Sequence, residues 1–257
     1  MDHQRRRIDL IMGAAQSPIL TYGGGVVKAA LLMHLTGANN GTTFTDVYGS
    51  TPWNQSTAYA SAPYTVTSTA VGSPFAGVNS SLYTATANTG ILLPGADLVP
   101  AWNGFGTGDF TVEYWFYDTN TTSANGSYPV CGMNSTGFPF QMGIEINGSS
   151  PDRILICQNT SIVGVTNISA NTWHSAAYCR KSGVGYLFLD GNLEATKADT
   201  TNYGPYNPSG SSNPGFYING CQGIDPLVGF YMSEFRLTMG FARYTSSYTP
   251  ATAPFQY

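Results

Sequence analysis

The clearest alternation of apolar and polar positions follows a glycine-rich turn, GFGTG at 104–108, and continues through DFTVEYWFY at 109–117. A period of two built from β-branched and aromatic residues predicts a strand. Because its second face also carries large aromatic side chains, we expect this strand in the middle of a sheet with both faces covered. One face consists of Phe110, Val112, Tyr114 and Phe116, and the other of Thr111, Glu113, Trp115 and Tyr117.

Other short apolar runs, separated by Gly and Asn turns, predict further strands on both sides. Asp190-Gly191 joins two of these runs, and both residues tolerate the positive φ of a two-residue hairpin. The segment 50–81 is predicted to be irregular, with no clear period except YTVT at 64–67. The segment 200–214 is predicted to be an exposed loop, and the segment after 239 a helical turn with a proline-rich tail. The predicted strands lie in 29–35, around Phe44, and in 82–87, 90–93, 127–133, 139–147, 152–158, 172–181, 185–189, 192–197, 216–220 and 228–237.

No long stripe of apolar residues has helical spacing, so the fold class is predicted to be all-β, a two-sheet jelly-roll β-sandwich. At 257 residues, an all-β chain commonly stays a single domain. We therefore predict a domain over 28–257, preceded by an extended N-terminal arm over 1–27.

The predicted arm ends in Gly23, Gly24 and Gly25, a flexible joint, and contains no uninterrupted apolar region of signal-peptide or membrane-spanning length. One interpretation is a disordered tail, and the other, which we favour, is an arm that folds on an acidic or apolar partner. The partner-docking residues would be Arg5, Arg6, Arg7, Leu10, Ile11 and Met12.

Composition changes the picture of the surface. Apolar residues make up 42% of the chain, enough for a core, but charged residues make up only 9% and the net charge is −4. Ordinary soluble domains contain roughly a quarter charged residues. A neutral surface rich in hydroxyl groups suits packing among other proteins or contact with sugars, and it carries no electrostatic footprint for nucleic acid.

Four segments resemble a known family: LLMHLTGANNGTTFTDVYG, FGTGDFTVEYWFY, NTWHSAAYCRKSGVGYLFLDGNLEAT and GFYMSEFRLTMGFARYTSSYTPATAPF. Together they resemble the laminin-G-like branch of the concanavalin A-like lectin/glucanase superfamily, as found in tailed-bacteriophage structural proteins. The resemblance implies a two-sheet jelly roll that serves as a glycan-binding or assembly module on a virion.

The chain departs from that family at two positions. Thr36 and Ser233 stand where the family usually has acidic residues. Calcium, which such lectins often use, requires several oxygen ligands. The acids in or beside loops, Asp97, Asp109, Asp118 and Asp225, form no close Asp-x-Asp pair. No cofactor is therefore predicted, and calcium is the one to test.

The residues also argue against catalysis. Glycosidases need two carboxylates across the scissile bond, whereas Glu113, Glu145, Glu194 and Glu234 are single acids in separate strands. His174 shares no motif with a serine or cysteine nucleophile, and it is predicted to be a sheet residue whose ring nitrogens are hydrogen-bonded. The four cysteines lack metal-ligand spacing and are predicted to be small buried hydrophobes.

Sugar binding would use aromatic side chains on loops, although such residues more often pack the loops down. The candidates are Trp53, Tyr59, Tyr64, Trp102, Tyr203 and Tyr206.

Three functional hypotheses follow. The first is a non-enzymatic virion structural protein, a tail, fibre or capsid decoration component on the particle surface, anchored by its arm to other virion proteins as a homo-oligomer. The second is an adhesin for host surface polysaccharide, and the third and weakest is a secreted glycoside hydrolase. None involves a membrane or nucleic acid.

Overall fold

The computed structural model describes residues 21–22, 25–26, 31–45, 47, 52–53, 65–84, 91–94, 104–119, 126–134, 140–147, 150–157, 162–204, 215–219 and 229–256. These residues form strands, turns and irregular segments, with no helix among them. The strands are β1 (Thr21–Tyr22), β2 (Gly25–Val26), β3 (Leu31–Met33), β4 (Phe44–Thr45), β5 (Pro52–Trp53), β6 (Thr65–Ser68), β7 (Ser81–Thr84), β8 (Ile91–Pro94), β9 (Phe110–Asp118), β10 (Gly126–Asn134), β11 (Gln141–Asn147), β12 (Ser150–Cys157), β13 (Ile162–Val163), β14 (Trp173–Lys181), β15 (Val184–Leu189), β16 (Asn192–Ala198), β17 (Gly215–Ile218) and β18 (Phe230–Met239).

Two antiparallel sheets form a β-sandwich, which confirms the predicted fold class. The eight-stranded sheet has the order β16-β15-β14-β9-β18-β7-β6, with β3 also paired to β18. The six-stranded sheet has the order β13-β12-β11-β10-β17-β8. Side chains from the inner faces of both sheets share one apolar core, in which Phe110 of β9 meets Phe140, the residue just before β11, at a ring-centroid distance of 5.5 Å.

The strand that the alternation predicted most clearly is β9, and it lies between β14 and β18. Its inner face is fully buried in the core, as expected. Its outer face is also covered at Thr111 and Glu113, which are 0% and 2% exposed. A strand buried on both sides explains why this run is the most aromatic in the chain.

The meander β10-β11-β12 and the β15-β16 hairpin are confirmed. At the hairpin, Asp190 has φ +50° and Gly191 has φ +76°. A Cβ at Gly191 would lie 2.0 Å from the carbonyl oxygen of Tyr248. Glycine is therefore required here both for its backbone conformation and for the close approach of the C-terminal segment.

Three local predictions were wrong. The segment 50–81 is not irregular throughout: it contains β5 and β6, and β6 overlaps YTVT at 64–67, the exception noted in the sequence. Its buried Thr67 donates to the carbonyl oxygen of Gly41 at 3.3 Å. The segment 240–256 contains no helix and runs in turns and bends. The residues around the predicted glycine joint form the paired strands β1 and β2.

The predicted arm residues Arg5, Arg6, Arg7, Leu10, Ile11 and Met12 lie outside the described residues. The division of the chain at residue 27 stays a prediction.

Candidate functional site

The first polar cluster lies on the outer face of the eight-stranded sheet and is centred on Glu113. Its Oε1 accepts a hydrogen bond from Nε of Arg236 at 2.9 Å and lies 3.4 Å from Nε of Arg243. The hydroxyl of Tyr244 donates to Oε2 at 3.0 Å. Burial and the charge of Arg236 lower the pKa of Arg243. Burial also lowers the pKa of Arg236, but Glu113 and Tyr244 together outweigh it, and the pKa of Arg236 is raised. This carboxylate neutralises buried arginines and is closed to a substrate.

A second buried carboxylate, Glu234, sits at a bulge in β18 with φ +55°. Its side chain, 1% exposed, accepts a hydrogen bond from Nδ1 of His34 at 2.8 Å and from the backbone N–H of Phe255 at 2.9 Å. The hydrogen bond from His34 to this carboxylate raises the pKa of the histidine. Glu234 therefore ties the first core strand to the C-terminal segment.

The third cluster supports the glycine-rich turn that precedes β9. Arg180, 1% exposed, donates to the carbonyl oxygens of Gly106 and Gly108 at 2.8 and 2.9 Å and to that of Thr201 at 2.7 Å. Asp199 accepts hydrogen bonds from Tyr178 at 2.6 Å and Tyr203 at 3.0 Å. Burial raises the pKa of both phenols, and Asp199 raises it further.

This geometry decides the role of Tyr203, which the sequence suggested as a loop platform for sugar. The side chain is 2% exposed, and its ring lies 4.9 Å from the guanidinium carbon of Arg180. It also contacts the rings of Phe105 and Phe110 edge to face. Tyr203 is a core residue that anchors the turn, and its ring is not open to a ligand at the surface.

The other sugar-binding candidates are not brought together by described contacts. Trp53 lies in β5 opposite Phe44, where the structure describes the backbone. Tyr59, Tyr64, Trp102 and Tyr206 lie outside the described residues.

Ser169, His174 and Asp190 are hydrogen-bonded in the sequence Ser–His–Asp, as in the catalytic triad of a serine hydrolase. Nδ1 of His174 lies 2.7 Å from Oδ2 of Asp190, and Nε2 lies 2.9 Å from Oγ of the exposed Ser169. However, Nε2 also lies 3.0 Å from the carbonyl oxygen of Ser169, which accepts only from a protonated nitrogen. Burial lowers the pKa of His174, but Asp190 outweighs it and the pKa is raised.

A general base must arrive unprotonated, so these contacts favour a clamp between a loop and a hairpin rather than a nucleophile's partner. Oδ1 of Asp190 accepts from the backbone N–H of Ser175 at 2.8 Å as well. His174 is thus confirmed as a satisfied residue, bonded to side chains on two elements.

A final feature on the outer sheet face was not selected from the sequence. Trp173, Tyr117, Tyr231 and Tyr83 lie side by side on four neighbouring strands. Successive ring centroids are 5.7, 5.8 and 4.6 Å apart. The only sequence signal was an aromatic residue at an outward position in each predicted strand, and nothing in the sequence showed that the four share one row.

The structure locates the residues considered as metal ligands and two of the four cysteines. Across the part of the chain that the structure describes, no three His, Cys, Asp or Glu side chains gather as a metal site. Ser233, which stands where the resembling family has an acidic residue, is hydrogen-bonded to Ser73 with an Oγ–Oγ distance of 2.9 Å.

Cys131 and Cys179 are buried, as predicted, and burial raises the pKa of Cys179 to about 12. None of the described segments is a helix that could cross a membrane.

The sequence matches a known protein family. A laminin-G family model, described as Concanavalin A-like lectin/glucanases superfamily, matches residues 86–238. No curated protein sequence matches the chain.

Solved structures share the architecture at low identity. Domain 4 of AbnA, a GH43 extracellular arabinanase from Geobacillus stearothermophilus solved in complex with arabinotriose, superposes with a TM-score of 0.58 at 11% identity, covering 84% of this chain and 94% of that one. Trypanosoma rangeli sialidase in complex with the inhibitor DANA gives a TM-score of 0.52 at 18% identity, covering 84% of this chain and 32% of the sialidase. The chain thus spans about a third of the sialidase, and the likeness establishes a shared fold.

Proposed function

Because the chain belongs to the concanavalin A-like lectin/glucanases superfamily, we propose that it is a carbohydrate-binding module without catalytic activity. The observation that carries this proposal is that its buried carboxylates are occupied by hydrogen bonds and ion pairs within the chain. Glu113 and Glu234 are each held by their own internal partners, Arg236 and the backbone N–H of Phe255, and Asp199 is held by buried phenols beneath the glycine-rich turn. A glycosidase needs two carboxylates that face one sugar ring.

Another of the glutamates weighed as catalysts, Glu194, points to the same conclusion. Glu194, 9% exposed, accepts from the backbone N–H groups of Val165 and Thr166, both at 2.7 Å, and from the hydroxyl of Thr166 at 2.8 Å. It serves as the cap of a loop. The superposition with an arabinanase domain in complex with arabinotriose supports sugar binding, because that domain covers nearly the same chain length.

The test is affinity electrophoresis of the purified chain through gels that contain linear arabinan, xylan, laminarin or polysaccharide from host cell surfaces. We expect retardation by at least one polysaccharide and no release of reducing sugar. Absence of retardation in every gel would overturn sugar binding, and reducing sugar would overturn the non-catalytic assignment.

The same gels run with calcium and with EDTA test the cofactor. We expect equal retardation, because Ser233 and Thr36 supply neutral oxygens where the resembling family has carboxylates. Loss of retardation in EDTA would assign calcium to the binding site.

A second candidate function is that of a virion structural protein on the particle surface, anchored by its arm and assembled as a homo-oligomer. It rests on the resemblance to phage structural proteins, which is most specific in the segment 240–256. That segment is integrated into the fold, since the rings of Tyr244 and Tyr248 stack 3.6 Å apart against the outer sheet face. Mass spectrometry of purified particles should detect the chain, and its absence would remove this candidate.

A further inference from the structure

The row of rings on the outer face of the eight-stranded sheet crosses neighbouring strands in register. Trp173 pairs with Tyr117, Tyr117 with Tyr231, and Tyr231 with Tyr83. Val66 of the next strand pairs with Tyr83 and extends the row by one position. Side chains in register on one face of adjacent strands touch one another, so the five form one continuous strip.

The strip lies where the cover over this face ends. At one end of the strands, the segment 240–256 covers Thr111, whose hydroxyl donates to the carbonyl oxygen of Phe241 at 3.1 Å. In the middle, Phe75 packs edge to face on Trp115 with a centroid distance of 5.6 Å. Beyond these covers, Trp173, Tyr117 and Tyr83 are partly exposed.

The exposed rings are held in place before any ligand arrives. Nε1 of Trp173 donates to the carbonyl oxygen of Gly72 at 3.0 Å, which fixes the indole. Tyr231, only 8% exposed, is wedged between Tyr83 and Tyr117. Partial burial and the neighbouring phenols raise the pKa of Tyr231. Rings that are already ordered lose little conformational entropy on binding.

The chemistry of the strip selects a neutral ligand. None of its five residues is charged, and Ser175, Trp115 and Ser233, which follow on the same face in register, are uncharged as well. Phosphate or sulfate groups would find no cation among these residues. Tyrosine and tryptophan offer an apolar ring face and a polar edge, which complements a sugar ring with its C–H face and its hydroxyl rim.

We propose that this strip, Trp173–Tyr117–Tyr231–Tyr83–Val66, is the surface that binds carbohydrate, and that its ligand is a neutral, extended oligosaccharide lying across the strands. The inference rests on the proposed function and adds its site. Strands lie about 4.8 Å apart, so the four rings span roughly 14 Å, the length of a short oligosaccharide. The sugar rings would stack on the partly exposed aromatic faces.

The experiment compares single variants in the gels described above, with linear arabinan, xylan and laminarin as probes. Tyr83→Ala and Tyr117→Ala remove a ring, Tyr83→Phe and Tyr117→Phe retain it, and Tyr83→Leu retains apolar volume without a ring. The matched control is Tyr186→Ala, a partly exposed tyrosine on β15 that packs against a separate apolar cluster.

We expect the alanine variants and Tyr83→Leu to raise the dissociation constant about tenfold or more, as loss of an anchoring aromatic residue does. The phenylalanine variants and Tyr186→Ala should stay close to the wild type. Since Tyr83→Leu conserves volume, it keeps the test valid if the alanine variants fail to fold.

The opposing outcomes separate the two proposals. Wild-type retardation that none of the strip variants weakens more than Tyr186→Ala would overturn this site and leave sugar binding standing. No retardation of the wild type by any probe would overturn both. A lower molecular mass of Tyr83→Leu in solution, with sugar binding unchanged, would show that the strip is a contact between copies of the chain and would also overturn the site.

Discussion

Arg180 shows how a chain with few charges uses each of them at the scale of the residue. Its guanidinium is buried, yet it donates to backbone carbonyl oxygens of the glycine-rich turn and lies 3.8 Å from Asp199. A buried charge is costly unless it is paired and fully hydrogen-bonded. Here it takes the place of water at the carbonyl oxygens of Gly106 and Gly108, and that of Gly106 also accepts from the backbone N–H of Tyr203.

Replacing this residue should therefore cost far more than its size suggests. We expect Arg180→Met to lower the free energy of unfolding by about 3–5 kcal/mol, because Asp199 would remain buried without its cation. Urea unfolding at neutral pH measures the change. Lys181→Met, at an exposed neighbour, is the control, and an equal loss in both variants would contradict the role of Arg180.

The two described histidines set the pH dependence. His34 and His174 both have a raised pKa in the folded chain because each donates to a carboxylate. Their contribution is fully present below the unfolded pKa, about 6.5, and is lost as the pH rises through the folded values. The free energy of unfolding should therefore fall as the pH rises above that of unfolded histidine.

Urea unfolding across this range checks the prediction. Solvent screens one partner of each pair, the 38% exposed side chain of His34 and the 40% exposed side chain of Asp190, so the single variants are compared to separate the two contributions. The double variant His34→Gln, His174→Gln should be flat with pH, and a slope that survives in it would assign the effect to other groups.

At the scale of the element, tight turns decide how strands of the eight-stranded sheet meet the C-terminal segment 240–256. Gly191 combines a positive φ with a backbone oxygen at 2.0 Å from the position of a Cβ. Gly77 has φ +80° but nothing within 4 Å of such a Cβ. A comparison of Gly77 with Gly191 therefore separates the cost of a positive φ from the cost of a steric clash with the backbone.

We expect Gly77→Ala to destabilise the fold by about 1 kcal/mol, the cost of the left-handed conformation alone. Gly191→Ala should cost about 3 kcal/mol or more, because the β15-β16 hairpin must move away from the chain at Tyr248. Thermal unfolding of both variants measures the difference. Equal losses would mean that the close approach at Gly191 relaxes freely.

At the scale of the whole molecule, the segment 240–256 completes the sandwich. Its Arg243 and Tyr244 reach the buried Glu113, and its Phe255 lies with a ring centroid 4.3 Å from the guanidinium carbon of Arg236. The outer face of β9 is thereby closed at Thr111 and Glu113 without a third sheet. The segment is thus part of the fold rather than a tail.

Removal of the shared carboxylate should release this segment. We expect Glu113→Ala to lower the free energy of unfolding by about 3–5 kcal/mol, because two buried arginines lose the carboxylate that both of them contact. Limited trypsin digestion should then cut after Arg243 much faster than in the wild type. Glu145→Ala, at a partly exposed position on β11, is the control and should leave that bond protected.

The sequence alone determined the elements whose cause is local. The alternation in β9, the meander β10-β11-β12 and the Asp190-Gly191 hairpin depend on neighbours in the chain, on the period of two and on residues that accept positive φ. The same local reading identified the buried cysteines, the satisfied histidine and the sandwich class. It left the YTVT run at 64–67 inside an irregular segment, because a buried Thr67 looks polar until its carbonyl partner is known.

Only the tertiary structure decided which side chains meet. Tyr203 was selected as a surface ring, but the Arg180 network draws it into the core. The outer row joins Tyr83, Tyr117, Trp173 and Tyr231, whose strands are far apart in sequence and become neighbours through the order β14-β9-β18-β7. The faces of single strands follow from local alternation, whereas a shared row requires the register between distant strands, and that register is set by packing of the whole sheet.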